Sequence, residues 1–509
     1  MVAHPSAPSA VAVNTMTTTT EHPSFIERFF TNAMLHTTNR WIAIVAATLI
    51  GFHSTWLQLL DEIRTGTTGG YVLIVPPLVA IVAIGITRQR KNELPIHDRQ
   101  TDIITSVLLL LIALAIKGLL MPRYATNYQV MHLDVLAAWV FVCGACVAMF
   151  GLRVTAAYWQ AWAMLFLSSP VLYRIVLVEA GGTKLAAGQV TLVLAATAVG
   201  LATRRTRARG FFYGSATFVT GLMVLVLVDQ RWPDAPIAVS QYVPAVVATV
   251  VVGAGAYLWT YRGLAPRTLP PNPVSVPQAV RGAMCVAVAT LLAALLPLPD
   301  QRLTPVSVGP PYSGTATQIV PSGWVQLSSV DYDWPRAYFR QGSVLRRQML
   351  RAEEPNPEWD RLLRPRTVAV QTLQVRRVGS FAVYPTESMY ALGKSRVSPK
   401  EYVDLGRGVT AEYFTVVDDN LLLTWSLLSF VWTRSDTVAQ RVSLLTVDNH
   451  ELDAPFPQPE PNTVANARTL MRVLLRGNGT VEDTDPEYKD RSMLIEVGRE
   501  LVEAQWQAE

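Results

Sequence analysis

The chain is 509 residues long, 50% hydrophobic and 16% charged, with a formal net charge of +5. That surplus of Lys and Arg is no nucleic-acid signature, because it falls in short loops and no basic face with interleaved aromatics accompanies it. A wholly water-soluble chain is excluded too. From Trp41 to Pro297 apolar runs of roughly 17 to 23 residues recur, the length a helix needs to cross ~30 Å of hydrocarbon, whereas none occurs from Asp300 onward.

Residues 1–25 are rich in Ala, Ser, Thr and Pro and lack both a charged n-region and a long apolar h-region. Residues 1–40 therefore read as a disordered cytoplasmic segment and not as a signal peptide. Nine spans are expected within 41–298, at about 41–60, 69–87, 102–121, 133–152, 158–178, 187–203, 211–228, 241–260 and 280–297. Short loops rich in Lys and Arg stay on the cytoplasmic side. RQRKNELPIHDRQ, RRTRARG, Arg153 and the Arg262-to-Arg281 connection alternate with the acidic or near-neutral loops DEIRTGTTG, EAGGTKLAAG and DQRWPDAPIA. An odd number of spans then puts the N-terminus inside and the C-terminal half outside. The proline-rich APRTLPPNPVSVPQ between the last two spans predicts an extended connection.

After a linker at 299–320, residues 321–509 change pattern. TVAVQTLQV, SFAVY, VTAEYFTVV, NLLLTWSLLSFVW and RVSLLTV predict strands, divided by turn residues. Helices are expected at NTVANARTLMRVLLRG and PEYKDRSMLIEVGRELVEAQWQ. The fold class is thus a polytopic α-helical membrane domain followed by a soluble, extracytoplasmic α+β domain with a mostly antiparallel sheet.

Ionisable groups within spans are functional candidates by default. His53 lies deepest, but no second His, Asp or Glu joins it at helical spacing, and a packing histidine is the favoured reading. Lys117 and Arg174 lie near outer span ends, where long side chains snorkel to the interface. Buried charges are too few to mark an ion path. Pro76 and Pro77 interrupt the second span, which favours a packed or cavity-lining helix there. Cys143, Cys146 and Cys285 all fall in apolar runs, and the outer half has no cysteine, so no disulfide holds it. Cys143 and Cys146 share a helix face, but no further ligand or polar access path accompanies them. Neither a metal nor a cofactor is expected.

GTTGGYVLIVPPLVAIVAIGITRQRKNELPIHDRQTDIITSVLLLLIALAIK resembles the early part of exosortases and archaeosortases, in which a Gly-Tyr and proline-bearing span precedes a basic loop. MFGLRVTAAYWQAWAMLFLSSPVLYRI is similar to their following turn and span. FAVYPTESMYALG and the long run ending LLTWSLLSFVWTR are similar to a periplasmic domain associated with exosortases. The resemblance implies a membrane-embedded cysteine protease or transpeptidase of the bacterial cell envelope that processes C-terminal sorting signals. Its cysteine stands in an Ala-Cys-Ser-Gly-Leu-like motif assisted by arginine and a further arginine or histidine. The counterpart here is FVTGL, in which Val219 replaces the cysteine, followed by Thr220, Gly221 and Leu222. In the outer half, Glu387 is followed by Ser388, where the resemblance implies a thiol.

Valine is no nucleophile, so no catalytic residue is assigned. The favoured expectation is a non-catalytic exosortase-like protein, in contact with membrane lipid, that binds or positions a protein partner at the extracytoplasmic face. One alternative is a peptidase or transpeptidase using Thr220 or Ser215 as nucleophile, although no His stands near either in sequence. Another is a transporter component, against which no internal repeat is visible.

Overall fold

A computed structural model describes residues 37–89, 99–125, 128–261, 276–299, 304–311, 316–340, 342–390, 392, 395–418, 422–435, 437–451, 453–460, 483 and 485–507. The described residues of the N-terminal half are helices joined by turns. α1 (Thr37–Gly51) and α2 (His53–Thr65) form a pair bent by 73°, and a 3₁₀ segment at Thr68–Leu73 leads into α3 (Val75–Gln89). α4 (Arg99–Ala115) continues through a π-helical turn at Ile116–Leu120, and α5 (Leu133–Phe150) returns beside it. α6 (Trp159–Leu167) and α7 (Pro170–Glu179) are a second pair, bent by 60°. α8 (Lys184–Ala202), α9 (Arg207–Arg231) and α10 (Ile237–Tyr261) pack mutually, and α11 (Val276–Leu295) packs on α1 and α5.

Among the described residues, 6 helices are long and apolar enough to cross a membrane, or up to 8 if each bent pair is one span. The expected ninth corresponds to a shorter apolar stretch, Val280–Leu295. Ile104, Leu111, Met223, Leu227, Val250 and Leu258 are exposed on the outer faces of their helices. That inverts a water-soluble surface, where apolar patches stay small, and it is what lipid would cover. Pro76 and Pro77 stand in the first turn of α3 and are themselves exposed, while the helix they open is packed, with 56% of the span Thr68–Gln89 buried. In a first turn the missing N–H of proline costs no helical bond.

Each bend frees carbonyls, and buried side chains take them up. Lys117 Nζ donates to the Gly51 carbonyl at 3.1 Å and to the Ala293 carbonyl at 2.7 Å, and so closes the ends of α1 and α11 together. Tyr71 OH donates to the Ser168 carbonyl at 3.0 Å, in the break before Pro170. At the other end of the bundle, Arg40 donates to the Met149 carbonyl at 2.8 Å, and Asp102 Oδ1 accepts from Leu152 N at 2.7 Å. A cation at a helix C-terminus and an anion at an N-terminus both oppose the helix dipole favourably.

The C-terminal half is built on a 9-stranded sheet: β1 (Val306–Val308), β2 (Trp324–Tyr332), β3 (Val344–Ala352), β4 (Thr367–Val375), β5 (Ser395–Val397), β6 (Glu401–Asp404), β7 (Thr410–Asp418), β8 (Leu423–Ser435) and β9 (Val438–Val447). The order is β2-β3-β4-β9-β8-β7-β5, with β6 also on β7. All pairings are antiparallel except that of β1 with β8. β1 falls in the stretch expected to be linker. Central strands are apolar on both sides. Tyr413, Phe430, Trp432 and Leu444 face the C-terminal helix, while Phe414, Trp425, Leu427 and Leu445 face Phe339, Phe381 and Tyr390. Burial on both faces explains why the central strands read as near-continuous apolar runs.

Two short helices, α12 (Pro335–Phe339) and α13 (Ser380–Val383), cover the second face; α14 (Arg491–Gln507) covers the first. SFAVY is thus a helix and turn, not a strand. Its Phe381 and Val383 are buried, and the backbone carbonyls of Phe381 and Tyr384 receive the Arg441 guanidinium at 2.9 Å each. The helix expected at NTVANARTLMRVLLRG lies outside the described residues, as do most of residues 1–40, the loop at 90–98 and the proline-rich connection.

The two halves meet. α12 packs on α7, and α13 on the turn Tyr128–Met131. Gly182 (φ +64°) lies so close to the Ala337 carbonyl that a Cβ there would collide with it. Arg340 donates to the Gly66 carbonyl. Residues 66, 128–131 and 182 therefore share one end of the helical half, the end that carries the sheet domain.

Candidate functional site at the seam of the two halves

The FVTGL stretch lies in the middle of α9. Val219 is 49% exposed and Ser215 is exposed, on the outer surface of the helix. Gly221 is turned inward, where a Cβ would collide with the Leu192 side chain, and the Thr217 hydroxyl is spent on the Tyr213 carbonyl at 2.8 Å. Thr220 and Leu222 are half-buried, and Leu222 packs against the cluster that holds Leu192 and Leu225. This is close helix packing through small residues. No histidine bonds to Ser215 or Thr220 among the described residues.

The intramembrane polar residues are redistributed. His53 is exposed and not packed inside: it opens α2 at the bend, with Nδ1 3.1 Å from the Ile50 carbonyl. Lys117 does not snorkel, since it is 1% exposed and bonded to two helix ends. The π-helical turn carries it inward, an irregularity frequent at functional or structurally special positions. Arg174 does not snorkel either, at 5% exposure. Cys146 is buried among Phe52, Phe141 and Phe150, Cys143 and Cys285 are half-buried, and all three are free thiols. No group of three or more His, Cys, Asp or Glu side chains suited to a metal occurs among the described residues.

Buried charge is more abundant than the sequence suggested. Arg40, Lys117 and Asp102 serve as helix caps. Glu62, His132, Asp134 and Arg174 remain, all at the seam. Glu62 lies in the last turn of α2, which Gly66 ends in the left-handed conformation (φ +77°). Chain reversal there brings Thr67 Oγ1 to 3.1 Å from the Glu62 carbonyl and Gly69 against the Glu62 carboxylate. His132 precedes α5 with φ +42°, a left-handed conformation that a non-glycine residue adopts at a cost of order 1 kcal/mol. His132 Nε2 lies 3.2 Å from Glu62 Oε2, and Nδ1 lies 3.6 Å from Asp134 Oδ1, within ion-pair reach though outside hydrogen-bond geometry. Tyr128 OH donates to Asp134 Oδ2 at 2.7 Å. An imidazole between two carboxylates can hold and release a proton, yet no thiol or serine hydroxyl is bonded to it among the described residues.

Beside this group, Tyr71 and Tyr173 stack with centroids 3.5 Å apart. Gln241 Nε2 bridges the Tyr173 hydroxyl at 2.9 Å and the Thr68 carbonyl at 3.1 Å, and Tyr242 donates to the Gly70 carbonyl. The TGGY segment is therefore the hub that ties α2, α7 and α10 together. Its glycines admit the Glu62 and Tyr242 side chains against the backbone.

In the sheet domain, Lys400 Nζ lies 2.7 Å from Glu387 Oε1 and 3.1 Å from Glu412 Oε2. Thr386 and Thr304 each donate to Glu412 at 2.9 Å. Burial opposes ionisation of Glu387, but the Lys400 ammonium outweighs it and holds the carboxyl below its ordinary range. Ser388, where a thiol was implied, donates to the Pro385 carbonyl at 2.6 Å.

Sequence reasoning passed over Glu62, His132 and Asp134. His132 and Asp134 stood at a span boundary in MHLDV, and Glu62 lies 70 residues away from His132, joined to it only by the fold. Compared with known proteins, the chain matches no family model, no curated protein and no solved structure.

Proposed function

We propose that this is an exosortase-like integral protein of the bacterial cytoplasmic membrane, non-catalytic, that binds or positions a protein partner where its membrane helices meet its outer domain. In this reading the two bent pairs and α11 all cross, making nine spans, with the N-terminus inside and the sheet domain outside. The observation that carries it is the position of Val219. The residue standing for the nucleophile is apolar and faces away from the protein interior, while the buried charged side chains Glu62, His132, Asp134 and Arg174 lie at the seam. Ser215 shares that outward surface, which gives a hydroxyl nucleophile no base. Buried charges fall at the two ends of the bundle, with the apolar clusters of Leu192, Ala195 and Phe141 between them, an arrangement unlike an ion path.

The test is photo-crosslinking in intact cells, with a photoreactive phenylalanine analogue placed at Tyr338 on the seam or at Val219. A discrete protein adduct from Tyr338 and none from Val219 is the expected result. Adducts from Val219 alone would place the working surface on α9 and refute the proposal.

A further inference from the structure

Arg174 is 5% exposed, and both terminal guanidinium nitrogens lack a hydrogen-bond acceptor among the described residues. A buried cation without a counter-charge is strongly unfavourable. The nearby carboxylates are engaged elsewhere: Glu62 and Asp134 flank His132. Arg174 lies within electrostatic reach of Tyr71 in the helical half and of Tyr384 in the sheet domain, so it sits between the two. Tyr384 is also within reach of Arg340. Arg340 follows α12 with φ +79° and donates to the Gly66 carbonyl, and the Arg377 guanidinium rests on the same glycine. Burial, and after it the Arg377 charge, push the Arg340 guanidinium down to about 10. Among the described residues no carboxylate pairs with Arg174 or Arg340.

We propose that Arg174, Arg340 and Arg377 form a binding site for a phosphate oxyanion at the seam, of the kind carried by anionic lipid headgroups. The three are graded inward: Arg377 is exposed, Arg340 half-buried and Arg174 buried. An anion attracted at the surface is thus drawn toward the one guanidinium that lacks an acceptor. The planar fork of Arg suits phosphate oxygens in pairs, which a lysine would not match. The level also fits, because the seam is where the apolar helices end and the sheet domain begins, the depth of lipid phosphate in the proposed orientation. Anionic lipid is attracted to clustered cations near the bilayer surface.

This inference rests on the membrane reading for its lipid source, but not on the protein being non-catalytic. The experiment uses the purified full-length chain in mild detergent. Its thermal unfolding midpoint is followed as phosphatidylglycerol, a phosphate-free galactolipid with the same acyl chains, or inorganic phosphate is added. Phosphatidylglycerol raises the midpoint and the galactolipid does not. A response to inorganic phosphate alone assigns the site to free phosphate, and none assigns it to the lipid headgroup; either keeps the phosphate chemistry. Arg174→Gln weakens the apparent affinity by about tenfold or more, as expected for loss of a charged bidentate partner. If Arg174→Gln does not fold, the exposed Arg377→Gln reads the same site with a smaller loss. Equal responses to both lipids, or an undiminished response in both variants, overturns the site. So does a response confined to a peptide with a free C-terminal carboxylate, which would make the occupant a protein chain.

Discussion

Lys400, half-buried between Glu387 and Glu412, shows what one cation decides in the sheet domain. Because the Glu387 carboxyl is held below its ordinary range, its share of stability is present above the unfolded value of ~4.3 and is lost as pH falls through the lower folded value. Protection from exchange across β7 in the full-length protein, corrected for the intrinsic pH dependence of amide exchange, should therefore fall on acidification below about pH 4. In Lys400→Met Glu387 loses its main counter-charge and keeps only the more weakly acting Arg441, at a cost of about 3 kcal/mol at neutral pH. Burial then raises the folded value of Glu387, so mild acidification should increase the corrected protection in the variant. The same sign of pH response in both proteins would refute this account. Neither the half-buried Lys400 nor the buried Lys117 was legible as such, because composition marks a lysine as a surface residue and only packing shows what its ammonium meets. Val219 is the opposite case: its chemistry was readable at once, and the fold supplied its direction.

Among the elements, the apolar runs were legible because bilayer thickness and helical rise fix their length, and the antiparallel strands β4, β7, β8 and β9 were legible from β-branched and aromatic content. The bends at Phe52 and Ser168 were not, since each depends on a distant side chain, Lys117 or Tyr71, to donate to the freed carbonyl. SFAVY carries strand-forming residues, yet it is helical because it closes over the sheet face through Phe381. Strands β2 and β3 were missed: β2 is an exposed edge strand and β3 carries three arginines, so neither shows the apolar signal. The packing of α8 on α9 leads to a direct expectation. Gly221 admits Leu192, and Gly221→Leu should force the helices apart, with a loss of about 1–3 kcal/mol. Val219→Leu, on the outer surface, should stay within about 0.5 kcal/mol. Both can be read from unfolding in mild detergent. A neutral Gly221→Leu would show that the two helices do not meet there.

At the scale of the whole molecule, the division into a helical half and a sheet half was visible in the sequence, but their docking was not. The seam is built from residues 66, 128–131, 174 and 182 of one half and 335–340 and 380–384 of the other, distances in sequence that no local pattern reports. The same gathering places Glu62, His132, Asp134 and Arg174 away from α9 and from the cysteines. In the proposed function the chain binds at this seam without covalent chemistry. The most direct measurement uses a variant with Cys143, Cys146 and Cys285 all replaced by Ala, carrying the photoreactive residue at Tyr338 in intact cells, with adducts resolved by mass spectrometry. Buried cysteines behave as small hydrophobes, so the variant should fold and give the same Tyr338 adduct as the parent, with no acylated side chain. Loss of the adduct in a folded, membrane-inserted variant, or a peptide acylating a cysteine, Ser215 or Thr220 in the parent, would contradict it.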